Sequence, residues 1–167
     1  TRSYRAGDDG DLERGVAWPD PRFTVNGDCV TDNLTGLMYS QNANLAGYMA
    51  WNAALDYVSN LILCDYSDWR LPNIKELRSA LDYSNYDPPL PNTIPFTNVQ
   101  TLNYWSSSSP VEGTSWAWIV YMLNGMVSGK LKGEYNGYVW PVRSGQLDGS
   151  FDYYCDSDSD GYMDKSP

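Results

Sequence analysis

The side chains that carry most enzymatic chemistry are scarce in this chain. Among its 167 residues there is no histidine, which removes His-activated nucleophiles, His-ligated zinc and axial-His haem. The cysteines are Cys29, Cys64 and Cys155, without a Cys-x-x-Cys pair, so thiolate metal sites and thioredoxin-type exchange lack their ligands. Two of the three could form one bridge in an oxidising compartment, or all three could be buried thiols; spacing does not choose. Catalysis by carboxyls alone needs a pair about 5–9.5 Å apart in a cleft. The acids tied to apolar segments are Asp68 and Glu76, and Glu76 is placed to cap a helix. A Ser or Cys nucleophile has no evident base. The chain therefore reads as a non-enzyme.

Asp68, Arg70, Glu76 and Arg143 are either a sugar-binding or catalytic cluster or a set of fold-fixing pairs. An Arg flanked by Trp69 and Leu71 favours the second. A different pattern ends the chain. Asp156, Asp158, Asp160, Gly161, Tyr162 and Asp164 follow the oxygen-ligand spacing of a calcium loop. Pro167 stands where an EF-hand needs its glutamate, so the stretch resembles one arm of a thrombospondin-type-3 calcium repeat and predicts Ca²⁺ binding; an acidic linker is the plain alternative.

Charge and composition narrow the partners. The net charge is −10 and no Lys/Arg cluster exists, which argues against nucleic acid. No apolar run is long enough to span a membrane. The 14 Tyr and 7 Trp suit half-exposed contact surfaces, or a β-rich core that uses tyrosine. The ends of the chain read as those of a piece cut from a longer, processed protein.

The elements that must position these residues follow from periodicity. Residues 1–22 read as an extended lead-in, and the domain opens at Phe23. A hairpin is expected over 30–39 around Asp32-Asn33-Leu34-Thr35-Gly36. Trp51, Ala54, Leu55, Val58, Leu61 and Ile62 recur at helical spacing. Asn73 and Glu76 announce a second helix carrying Ile74, Leu77, Ala80 and Leu81 and ending near Tyr83. Residues 86–95 hold four prolines and form a loop. Strands follow at 103–107, 116–123, 126–131 and 138–143, with Asn124-Gly125 as a hairpin turn. Helices early and strands late predict an α+β fold, two helices against a twisted antiparallel sheet with long loops.

The late hairpin is the most informative candidate surface. With Trp118, Val120 and Met122 in the core, alternation sends Ile119, Tyr121 and Leu123 to the opposite face, followed by Met126, Ser128 and Lys130 on the return strand. So apolar a face is covered either by the chain itself, through the Pro-rich loop or the lead-in, or by a partner. Ile119, Tyr121, Leu123, Met126 and Ser128 are the candidate ligand-binding residues.

Asp32-Asn33-Leu34-Thr35-Gly36-Leu37-Met38, the block Tyr66-Ser67-Asp68-Trp69-Arg70-Leu71-Pro72-Asn73-Ile74-Lys75-Glu76-Leu77, Tyr104-Trp105-Ser106-Ser107-Ser108, Ala117-Trp118 and Pro141-Val142-Arg143 together resemble the Lcl C-terminal domain family of collagen-like adhesins. The resemblance covers residues 23–145, with 146–155 as linker and 156–167 as the acidic repeat. It implies a C-type-lectin-like fold, secretion to the bacterial surface, a Cys29–Cys64 disulfide, and adhesion or ligand binding on the late strands. Tyr39 and Trp140 depart from the usual Trp and Arg, and the acidic balance departs from members that bind sulfated polysaccharide, so the ligand does not carry over. The expected function is an extracellular recognition or adhesion module for a glycan or protein. The alternative is a structural subunit of an extracellular fibre, packed against further copies of itself.

Overall fold

The computed structural model describes residues 6–7, 18–83, 85–91 and 94–144. The expected calcium ligands Asp156, Asp158, Asp160, Tyr162 and Asp164 lie outside the described residues. In chain order the elements are β1 (Phe23–Asn26), β2 (Cys29–Asp32), β3 (Leu37–Ser40), β4 (Tyr48–Ala50), α1 (Trp51–Ser59), α2 (Ile74–Ser79), β5 (Asn103–Trp105), β6 (Trp116–Tyr121), β7 (Met126–Leu131), β8 (Asn136–Tyr138) and β9 (Val142–Ser144). The α+β class holds, but the strands divide between two sheets, ordered β1-β2-β3-β9 and β4-β8-β5-β6-β7. The second is mixed, because β8 returns parallel to β5.

The β2–β3 turn forms where the sequence places it. The buried Asp32 carboxylate accepts from the Leu34 amide and the Thr35 hydroxyl, both at 3.0 Å. Gly36 then adopts φ +71°, a conformation that costs glycine nothing. The Asp32 charge is met by Arg22, also buried, at 3.2–3.3 Å. Arg22 belongs to the segment read from sequence as a surface lead-in; its guanidinium instead lies 4.1 Å from the Trp18 ring and 4.8 Å from that of Phe23.

Helix α2 carries the expected reciprocal cap: the Asn73 side chain accepts from the Lys75 and Glu76 amides, and Glu76 accepts from the Asn73 amide. Helix α1 is shorter than its apolar spacing implies. It stops at Ser59, so Ile62 is exposed and Leu61 packs instead beside Trp69, Met38 and Cys29. The same cluster holds the Cys29–Cys64 disulfide, which is present with an S–S distance of 2.03 Å.

Two larger clusters flank the five-stranded sheet. One joins the sheets through Tyr39, Phe96, Tyr104, Val120 and Trp140, with Phe96 edge-on to Trp140 at 4.8 Å. The other packs Ala54 and Val58 of α1 onto Leu71, Trp105, Ala117 and Ile119. Gly137 is required here, since a Cβ on it would meet the Trp105 ring at 3.0 Å. Trp118, expected in the core, is only half-buried.

These packings order the stabilities of variants. Trp105→Ala should cost about 3–5 kcal/mol through its cavity, and Trp118→Ala clearly less. Cys29→Ser with Cys64→Ser, which releases a 35-residue separation, should cost about 3–4 kcal/mol. Urea denaturation of the purified variants checks the order; equal losses for the two tryptophans would contradict it.

Candidate functional site

The charged motif residues are committed to the fold. Arg143, buried on β9, donates to Asp68 through Nε at 2.7 Å and Nη2 at 3.1 Å, with its guanidinium 3.7 Å from the Tyr66 ring. Arg70 forms a two-pronged pair with Glu76, both contacts at 2.7 Å. Hydrogen bonds from Arg143 hold Asp68 below the usual carboxylate range. Burial opposes ionisation of Glu76, but Arg70 and the Asn73 amide outweigh it and leave this carboxyl below its ordinary value too. Each carboxylate thus answers one arginine of its own. Among the described residues no group of three or more His, Cys, Asp or Glu is arranged to hold a metal ion.

The Tyr-Trp-Ser-Ser-Ser block is equally occupied. Ser106 is buried and donates its hydroxyl to the Trp118 carbonyl at 2.7 Å. Ser107 donates its amide to the Pro72 carbonyl, and Ser108 accepts the Ile74 amide at 3.0 Å, helping to seat α2.

What remains is the late hairpin. Its alternation is as expected: Val120 and Met122 enter the cluster between the sheets, and Ile119 takes the opposite face. That opposite face is nevertheless not outward-facing at Ile119, which is 1 % exposed. Helix α1 and Leu71 cover it, so β6 is buried on both sides and period-two alternation here separates two clusters instead of core from solvent. Tyr121 is half-buried at the edge of the α1 cluster. Coverage ends toward the turn, where Leu123 is 36 % and Met126 54 % exposed, with Ser128 half-buried between them and Lys130. The Pro-rich loop and the residues before it support that turn: the Asp87 amide donates to the Leu123 carbonyl at 2.8 Å, and Tyr83 packs against Gly125 at φ +76°.

Sequence reasoning missed the other side of β7. Trp116 is 41 % exposed and lies over Gly129; the readable signal was a glycine inside a strand, which marks a close approach. Lys130, expected on the return strand, lies 4.8 Å from the Tyr135 ring; Lys132, 3.9 Å from the Trp51 ring, was not anticipated. A shallow depression lined by Met49, Asp56, Tyr57, Asn60 and Ile62 runs beside α1.

The ion pairs generate a pH dependence with a fixed sign. A carboxyl whose pKa is lower folded than unfolded adds stability above its unfolded value and loses it as pH falls through the folded one. Stability should therefore drop on acidification below the ordinary carboxylate range, and Glu76→Gln, whose side-chain carbonyl can still accept the Asn73 amide, should flatten that drop while costing about 0.2–1 kcal/mol at neutral pH through the lost charge pair with Arg70. Melting temperatures from neutral pH into acid test this; an unchanged acid slope in Glu76→Gln would remove Glu76 from the account.

No curated protein matched the sequence. The family model of the Lcl C-terminal domain matches residues 28–143, a span that opens beside the disulfide and closes on the arginine paired with Asp68. The chain belongs to the Lcl C-terminal domain family.

Proposed function

We propose that this domain is an extracellular recognition or adhesion module that meets a glycan or protein ligand at the open end of its late hairpin. The observation that carries the reading is the exposure of Leu123 and Met126 at the turn end of one hairpin, while Asp68, Arg70, Glu76, Arg143 and Ser106 of the motif blocks are engaged within the fold. Exposed apolar side chains grouped on one element mark a contact surface. Membership of an adhesin domain family and the disulfide, a bond of oxidising compartments, support a place outside the cell. Among the described residues no helix is long and apolar enough to cross a membrane.

Within this reading Tyr121, Leu123, Met126 and Ser128 supply the contact, and Ile119 supports them from beneath. Screening the full chain on glycan and protein arrays identifies the ligand class. Tyr121→Ala or Met126→Ala should then weaken binding by about 1–4 kcal/mol, the range for an anchoring side chain, with little change in melting temperature for Met126→Ala and a modest fall for Tyr121→Ala, which also leaves the edge of the α1 cluster. Binding that survives both changes would move the contact elsewhere. Sedimentation in dilute solution separates the assembly-subunit alternative, which requires association of copies without added ligand.

The acidic tail completes the proposal. Asp156, Asp158, Asp160, Asp164 and the Tyr162 carbonyl offer the oxygen ligands Ca²⁺ prefers. Titration calorimetry of the full chain with calcium chloride should show a binding heat that Asp158→Asn with Asp160→Asn abolishes. No heat in the parent chain would leave the tail a plain acidic segment.

A further inference from the structure

The outer edge of β7 carries backbone groups that the fold leaves unpaired. The Ser106 amide donates to the Trp118 carbonyl at 3.0 Å, and the Trp118 amide donates to the Ser108 carbonyl at 2.9 Å. The main chain of Trp118 is thereby turned away from β7. Gly129, its Cα partner, must point its own N–H and C=O away from β6, because opposite residues of an antiparallel pair exchange both bonds or neither. Val127 and Leu131 share that direction by the strand period. Leu131 is closed off: its carbonyl accepts the Glu134 and Tyr135 amides. The Gly129 carbonyl receives only the Ser128 hydroxyl at 3.5 Å. Among the described residues, the Gly129 amide and both backbone groups of Val127 have no partner.

The other sheet edges are guarded. The outer strands β1 and β4 are four and three residues long, and β9 is bonded on its outer side by Arg70. Strand β7 runs six residues in unbroken register with β6, contains no proline, and has no buried residue. An edge of this length without a bulge is a template for another strand.

We propose that β7 takes up an extended, acidic peptide segment of a partner protein as an additional strand. This rests on the recognition reading above and specifies how the hairpin makes its contact. The unpaired groups recur at the spacing of a second polypeptide backbone, which matches them residue for residue. The two sides of the edge specify the incoming side chains. On one side Val127 and the Trp116 ring over Gly129 offer apolar contact. On the other, Met126, Ser128 and Lys130 alternate, and Lys130 has its ammonium over the Tyr135 ring without a carboxylate partner among the described residues. A strand with apolar residues facing Val127 and Gly129 and an acidic residue facing Lys130 fits both.

A random peptide library panned on the full chain tests this. Enriched peptides should carry alternating apolar residues with an Asp or Glu at the position facing Lys130, and Val127→Pro, which deletes an outward N–H without touching the bonds to β6, should weaken them by about tenfold. Because Val127→Pro could also disturb folding, amide hydrogen exchange of the unaltered chain provides the second reading: the Val127 and Gly129 amides should exchange fast when free and slow when peptide is bound. Peptides that bind equally well to a folded Val127→Pro, or that leave those two amides fast, would overturn the proposal. So would association of copies abolished by Val127→Pro, which would make a second copy the occupant. Glycan binding on arrays with no peptide enriched would also overturn it, while leaving the recognition reading in place.

Discussion

The backbones of Arg70 and Val142 exchange two hydrogen bonds, each 2.9 Å, and from that bridge the extended segment 68–73 reaches both sheets. Asp68 holds Arg143 on β9. Leu71 enters the cluster under Trp105 and Ile119. The Pro72 carbonyl receives Ser107 just beyond β5, and Asn73 caps α2. Six consecutive residues thus dock strand β9, one core, the end of β5 and a helix. Pro72 suits this role because proline disfavours helix in the residue before it and so keeps Leu71 extended. Alternation then turns Asp68 and Arg70 to one side and Trp69 and Leu71 to the other.

The tryptophans work at the irregular joints of the same frame. Trp51 donates its indole N–H to Ser106, Trp69 to Leu63, Trp105 to Met49 and Trp140 to Ser40, each to a main-chain carbonyl. The Ser40 and Ser106 carbonyls stand at or just past a strand end and that of Met49 on the outermost strand β4, and burying such groups unpaired would be costly. An indole satisfies the polar group while filling the surrounding volume. Of the two uses that composition leaves open for the aromatics, contact surface or core, these four tryptophans serve the second.

Burial of β6 on both faces has a consequence for recognition. A sheet whose two faces are both packed has little flat surface left to offer, so contact moves to its perimeter: the hairpin end at Leu123 and Met126, and the outer edge of β7. The Pro-rich loop braces that end through Asp87, and Tyr83, just before the loop, packs against Gly125. A braced hairpin loses less conformational freedom on binding than a mobile one.

Local signals were enough for much of this. The Asn73–Glu76 cap, the Asp32–Gly36 turn, the late hairpin and the α+β class are readable because each rests on residues a few positions apart. The Cys29–Cys64 pairing was not readable from spacing, and came from resemblance to a family whose motifs stand here in order. Other features needed the folded chain. Alternation placed Ile119 opposite Val120 correctly but could not say that α1 would cover it, since the cover comes from residues more than fifty positions earlier. Arg22 looked like part of a surface lead-in because its partners, Asp32 and the Ser79 carbonyl, are brought together only by the tertiary fold. The open edge of β7 is likewise a property of strand order: which strand of a sheet lies outermost depends on every pairing made before it, and no local pattern of side chains records that.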